Sequence, residues 1–165
     1  MPGVVLVGFG PTGRMLKSIL NDNGVEVVIV EMNIDTVTRI REQGGKIVYG
    51  DARQREVLKH AGIEYAESLI LSSSIPDAKD IVEMAIELNP RLDVMIHTNT
   101  WDVDILKKLE LPRFSPRNQV ALSMAEYFLR EGGADDEKIV SERLRIRAEL
   151  NNECTSDLCH EELNA

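Results

Sequence analysis

At 165 residues, 43% hydrophobic and 4% aromatic, the chain suits one compact domain with a core of Val, Ile, Leu, Met and Ala. Its formal charge of −9 argues against generic nucleic-acid binding and against attachment to anionic membranes. Two cysteines, Cys154 and Cys159, provide no disulfide framework, as suits a reducing cytosol, and neither a leader nor an apolar run of about 20 residues for membrane insertion is expected.

The segment "GVVLVG" (3–8) reads as a buried strand, and "PTGRMLKSILNDNG" after it as a helix. That helix carries Met15, Leu16, Ile19 and Leu20 on one face and Arg14, Lys17 and Asn21 opposite. "VEVVIVE" (25–31) is a second strand. Asn33 can cap a helix with Ile34, Val37 and Ile40, which the Gly44-Gly45 pair stops. "KIVYG" (46–50) is a third strand, and a short helix with Val57, Leu58 and Ala61 ends near Gly62. "SLILS" (68–72) is a fourth, and its helix bears Ala78, Ile81, Val82, Ala85 and Ile86 and stops before Pro90. "LDVMIHT" (92–98) is a fifth, with Val103, Ile105, Leu106 and Leu109 marking a helix beyond it. Strands this uniformly apolar are buried on both faces, as parallel strands are. Five strand–helix units in succession predict an α/β, Rossmann-like doubly wound parallel sheet of order 3-2-1-4-5, with room for a sixth strand.

Pro112 and Pro116 mark a break. Ser115 and Pro116 open a helix with two apolar stripes, Val120, Met124 and Phe128 on one and Leu122, Ala125 and Leu129 on the other. A helix apolar on most sides must be covered on most sides. The cover is either a partner subunit or, more plainly, the sheet of the same chain. A charged helix follows over about 137–150, and the acidic tail 151–165 is expected to be disordered. The expected division is thus 1–111 for nucleotide binding, 112–150 for C-terminal helices, and 151–165 for the tail.

Gly8-Phe9-Gly10-Pro11-Thr12-Gly13 spells G-x-G-x-x-G. Alone this is weak, but here it follows a strand, opens a helix and sits in a βαβ unit. Gly8 permits the tight turn, Gly10 lets backbone approach a pyrophosphate, and Gly13 lets helix and strand pack closely. Free N–H groups and the positive helix end meet the ligand's charge. Glu31 ends the second strand 18 residues beyond Gly13, where a carboxylate can accept from the ribose hydroxyls of an adenosine and repel a 2′-phosphate. Met32 follows it on the same rim. Asp51, before Ala52 in "YGDA", either accepts from an adenine amino group or caps the next helix. Ser72 and Ser73 either reach phosphate or the second ribose, or cap the helix behind them. His97 reads as a hydrogen-bonded core residue, Trp101 as a packing anchor, and Cys154, Cys159 and His160 match no standard metal spacing.

A dehydrogenase needs a proton donor beside the hydride site. The residues four places after Tyr49, Tyr65 and Tyr127 are Arg53, Leu69 and Glu131, so no Tyr-x-x-x-Lys is present. Neither a G-x-S-x-G elbow nor H-E-x-x-H occurs. A nucleotide site with no chemistry beside it reads as a sensor, not an enzyme. A small NAD-dependent oxidoreductase is the alternative.

The run "VVLVGFGPTGRMLKSIL…VEVVIVEMN…VTRIREQGGKIVYGDARQREVLKHAGIEYAESLILS" resembles the RCK, or KTN, regulatory domain of potassium transport over roughly residues 3–110. Within that family it looks most similar to the C-terminal domain of Kef-type potassium/proton antiporters. The resemblance implies that an adenine nucleotide, AMP or NAD(H) ahead of ADP or ATP, binds at Gly8, Phe9, Gly10, Pro11, Thr12, Gly13, Arg14, Glu31, Met32, Asp51, Ala52, Ser72 and Ser73. It implies a homodimer through the late helices, gating of a membrane transport domain in the same or a partner chain, and a place on the cytosolic side of an inner membrane. Two departures stand out. Many relatives have Asp-Asp after the fourth strand, where this chain has Ser72-Ser73-Ser74. Many have arginine at the fifth strand's end, where it has His97-Thr98-Asn99. The lost positive charge favours AMP over a di- or triphosphate, with Arg14 placed to compensate.

Overall fold

The computed structural model describes residues 3–73, 75, 77–97, 113–114 and 116–153. Five parallel strands, β1 (Val4–Val7), β2 (Val27–Glu31), β3 (Ile47–Tyr49), β4 (Ser68–Leu71) and β5 (Asp93–His97), lie in the order β3-β2-β1-β4-β5. A two-residue strand, β6 (Arg113–Phe114), extends the order beyond β5.

The register shows why the strands are apolar throughout. One row across the sheet runs Ile47, Ile29, Leu6, Ile70 and Met95, and the next runs Val48, Val30, Val7, Leu71 and Ile96. Adjacent rows face opposite ways. The first joins a core with Phe9, Val37 and Ile40, against which Leu16 and Leu20 pack. The second joins a core with Leu58, Ile63, Ile81, Val82 and Ala85. Helices α1 (Pro11–Asp22) and α2 (Ile34–Glu42) therefore cover one face. Helices α3 (Arg55–His60) and α4 (Ala78–Leu88) cover the other, with the 3₁₀ turn Ile63–Tyr65. That is a doubly wound sheet.

Local signals set several boundaries. Asn33 Oδ1 accepts from Thr36 N at 2.9 Å and caps α2 as expected. Pro11 and Pro116 each stand first in their helices, where the missing N–H costs nothing. Asn89 Nδ2 donates to Ile63 O and Ala66 O, closing the end of α4 against the 3₁₀ turn. One expectation fails on α1. Leu16 and Leu20 pack inward, but Met15 is 67% and Ile19 52% exposed. The apolar face is wider than the sheet can cover.

The described residues divide into two compact units, the second running from Phe114 onward. In it α5 (Pro116–Glu131) and α6 (Asp136–Glu153) form a hairpin. Arg130 Nη1 donates to Asp136 Oδ1 at 2.7 Å, and the Arg143 guanidinium grips Glu126. Asp135 Oδ1 accepts from Lys138 N at 2.8 Å at the start of α6. Leu122 and Ile139 are buried, whereas Val120, Met124, Tyr127 and Phe128 on α5 and Val140 and Leu144 on α6 are each at least half exposed. Of the two stripes expected on α5, Leu122 with half-buried Ala125 and Leu129 turns inward, and Val120, Met124 and Phe128 turn out. Helix α6 reaches Glu153, into the stretch assigned to the tail. The rest of the tail, the helix expected after β5, Ser74, Asn99, Trp101 and Ser115 lie outside the described residues.

Candidate functional site

Connections leave β1 toward β2 on one side and return to β4 on the other. The carboxyl ends of β1 and β4 therefore flank a topological switch point, where open α/β sheets take their ligands. The glycine loop occupies it.

Gly8 turns the chain with φ +88° and holds register by donating to Val30 O at 3.0 Å. Its left-handed backbone suits glycine. Gly10 caps α1 and accepts the first helical hydrogen bond, from Arg14 N at 3.0 Å. The N–H groups of Thr12 and Gly13 precede that bond and have no intrahelical acceptor. A Cβ on Gly10 would meet nothing within 4 Å, so the space above the loop is open to a phosphate. A Cβ on Gly13 would stand 2.6 Å from Gly8 O and 2.8 Å from Ser72 Oγ. Gly8 thus makes the turn and Gly13 the close packing that their spacing predicts, and Gly10 faces open space.

Glu31 does more than the sequence suggests. Its Oε2 accepts from Phe9 N at 2.9 Å, and its Oε1 accepts from Met32 N and Asn33 N, each at 2.8 Å. A carboxylate offers about four acceptor positions. Three are filled, and one remains on Oε2 for a ribose hydroxyl. The residue that would hold the sugar also fixes the loop that would hold the phosphate.

Several predicted site residues take other roles. Phe9 is a buried member of the core beneath α1 and α2, and its N–H is spent on Glu31, so it anchors the loop. Ser72 is buried and donates its single proton toward Gly8 O at 2.9 Å and Val7 O at 3.2 Å. It fastens β4 to the loop and caps no helix, since α4 is preceded by Asp77. Ser73 is half-exposed beside Gly8, its Oγ 2.9 Å from where a Gly8 Cβ would lie. Ala52 is buried in the core of the opposite face. Met32 is 60% exposed on the rim. Pro11, Thr12 and Arg14 are exposed at the start of α1.

Asp51 neither caps α3, whose cap position is Gln54, nor stands free. Arg53 donates to both of its oxygens through Nε and Nη2, and Arg53 N donates to Oδ1 at 2.9 Å. These bonds hold the Asp51 carboxyl below its ordinary value. The same guanidinium reaches Asp77 Oδ2 at 3.2 Å, and Asp77 holds a left-handed backbone at φ 61°. Arg53 thereby links the β3 end to the β4–α4 loop, a connection that sequence spacing does not announce. His97, expected to be a hydrogen-bonded core residue, has its Nδ1 enclosed without a hydrogen-bond partner among the described residues.

No group of three or more His, Cys, Asp or Glu among the described residues could hold a metal ion, and no helix among them is long and apolar enough to cross a membrane. Cys154, Cys159 and His160 lie outside those residues.

Residues 4–113 match the TrkA-N domain family. The fold is similar to the TrkA-N domain of the inner membrane protein ybaL from Escherichia coli, with 26% identity and a TM-score of 0.69 over 77% of this chain and 97% of that one. It is similar to the Kef C-terminal domain of Shewanella denitrificans in its AMP-bound form, with 20% identity and a TM-score of 0.67 over 92% of this chain and 97% of that one. The GsuK channel bound to NAD shares the fold at 22% identity and a TM-score of 0.62, over 76% of this chain and 23% of the channel. With its glycine loop, its strand-end carboxylate and a family match spanning β1 to β6, the chain belongs to the TrkA-N domain family.

Proposed function

We propose that this chain is a cytosolic sensor that binds an adenine nucleotide and gates a potassium channel or a cation/proton antiporter at the inner membrane. The observation that carries this reading is the pairing of two N–H groups that have no acceptor among the described residues, on Thr12 and Gly13 beside the open space at Gly10, with one remaining acceptor position on Glu31. Phosphate would lie on the first and ribose on the second. Gly8, Phe9, Pro11 and Ser72 shape the cradle, Arg14, Met32, Asp51 and Ser73 line its approaches, and Ala52 packs beneath Asp51 in the core. Relatives of this fold bound to AMP, to NAD and to ADP support the ligand class. The missing arginine at the end of β5 favours AMP over a di- or triphosphate.

Nothing is made or broken in this mechanism. Nucleotide shifts a gate only by the difference in its affinity for two conformations of the assembly. A tenfold preference is worth about 1.4 kcal/mol per site, so coupled sites in a homodimer would add. The outward stripe of α5 supplies a surface on which a second copy would pack.

Titration calorimetry of the wild type and Glu31→Gln with AMP, NAD and NADH tests the reading, with a thermal melt of each to separate binding from loop stability. The wild type should bind at least one of them, and Glu31→Gln should bind it about ten- to a hundredfold more weakly, the value of a charge-assisted hydrogen bond. Absence of binding to all three, or equal affinity in a folded variant, contradicts the site. Oxidation of NADH with a carbonyl panel would instead favour a reductase.

A further inference from the structure

Asp51 is a candidate acceptor for a purine's amino group, and the folded chain has already filled it. Its Oδ1 accepts from Arg53 N at 2.9 Å and Arg53 Nε at 3.0 Å, and its Oδ2 accepts from Nη2 at 2.7 Å and shares Nε at 3.0 Å. A carboxylate offers about four acceptor positions, and Arg53 takes nearly all of them. The Asp51 side chain is 20% exposed and that of Arg53 47%, so the guanidinium is the more open of the two to an arriving ligand.

Asp77 is held away from its usual partner by the same side chain. It stands at the N-cap of α4, where an aspartate ordinarily accepts from the second or third helical N–H. Here its side chain makes no cap bond: Oδ2 accepts from Arg53 Nη1 at 3.2 Å, and the backbone is left-handed at φ 61°. That conformation is strained for a residue with a Cβ, although aspartate tolerates it better than most. Lys79 N, the second N–H of α4, has no acceptor among the described residues. We infer, on the nucleotide reading above, that Arg53 is a specificity-determining residue that occupies the base position in the ligand-free chain: a purine amino group binds Asp51 only by displacing it, and the displacement frees Asp77 to cap α4.

The clasp opens at its weakest point. The contact with Asp77 is the longest of these bonds, and its side chains are 47% and 56% exposed, so solvent screens it. An amino group arriving at Asp51 Oδ2 takes the place of Nη2, and the guanidinium that turns away carries Nη1 from Asp77. Released, Asp77 exchanges an exposed ion pair and a strained backbone for a cap bond at the positive end of α4. All three residues belong to the sheet unit, so occupancy at the end of β3 reaches α4 through side chains already in contact. By linkage, loosening the clasp raises affinity for a purine that carries the amino group and brings no such gain to one that lacks it.

The test compares AMP with purine riboside monophosphate, which lacks only the amino group, by calorimetry on the full chain of the wild type, Arg53→Ala and Arg55→Ala, each checked by a thermal melt. Arg55 makes its ion pair with Glu87, at 2.8 Å. Arg53→Ala should raise the preference for AMP about tenfold or more, the value of a hydrogen bond to a charged group, and Arg55→Ala should leave it unchanged. Hydrogen exchange at the Lys79 amide follows Asp77. It should slow about fivefold or more in ligand-free Arg53→Ala, the value of a cap bond, and slow likewise in the wild type at saturating AMP. An unchanged or reduced preference for AMP in a folded Arg53→Ala overturns the inference, as does a Lys79 amide that exchanges at the same rate or faster, which would leave Arg53 a plain brace between two loops. If neither nucleotide binds any of the three chains, the sensor reading falls, and exchange in the ligand-free chains still decides whether Arg53 withholds Asp77 from the helix.

Discussion

The sheet unit and the late hairpin use apolar residues in opposite ways. In the first, the inward rows of every strand meet helices of the same chain, and Val5, Leu6, Ile29, Leu58, Ile63, Leu69, Leu71 and Val82 are fully enclosed. In the second, Leu122 and Ile139 are enclosed, while Met124, Tyr127 and Phe128 are each more than two-thirds exposed. Spacings of four, three and one from Val120 to Phe128 place the four on one face of α5. An exposed apolar stripe of that size marks an interaction site. The first unit completes its own core, whereas the second leaves an apolar stripe uncovered among the described residues. A sensor needs both, one rigid body to hold a ligand and one contact that can rearrange.

The sharpest way to break this contrast is Met124→Asp with Phe128→Asp. If a second copy covers the stripe, the pair should cost association about 3–6 kcal/mol and turn a dimer into a monomer by sedimentation, with the melt little changed. A wild type that sediments as a monomer refutes the role assigned to α5. In the sheet unit, Leu58→Ala should lose about 2–5 kcal/mol of unfolding free energy in urea, through transfer and cavity terms, and leave sedimentation unchanged. Ser72→Ala removes the fastening between β4 and the loop. It should cost about 1 kcal/mol or somewhat more and weaken nucleotide binding without touching the nucleotide.

The smallest effect is Asp51→Asn. Because Arg53 lowers the folded-state pKa of Asp51 below its ordinary value of 3.8, its stabilisation is fully present above that pH and is lost as pH falls through the lowered value. Wild type should exceed Asp51→Asn by no more than about 1 kcal/mol near neutrality, since the pair is partly exposed. The two should converge in acid melts. A gap that persists at low pH would point to a contact other than the ion pair.

Much of this was legible in sequence because it is local. The strand–helix alternation, the Asn33 cap and the glycine tasks depend on residues within a few positions of one another. What escaped is long-range or shared. Ser72 bonds to a carbonyl 64 residues away, and Arg53 joins Asp51 to Asp77 across 24. No spacing rule reports either. Met15 and Ile19 misled because a helical wheel shows which residues share a face but not how wide a stripe the sheet will cover. Glu31 was placed correctly at the end of β2. Its hold on Phe9 N appears only when the loop is folded back beside it.

The central claim is that backbone N–H groups at the first turn of α1 hold a nucleotide's phosphate. The most direct measurement is the amide NMR spectrum of the ¹⁵N-labelled chain titrated with AMP. The account predicts that the Gly10, Thr12 and Gly13 amides shift together with Met32 and in proportion to one another, while those of Lys59 and Arg91 stay in place. Saturating AMP that leaves the Thr12 and Gly13 amides unmoved would contradict it.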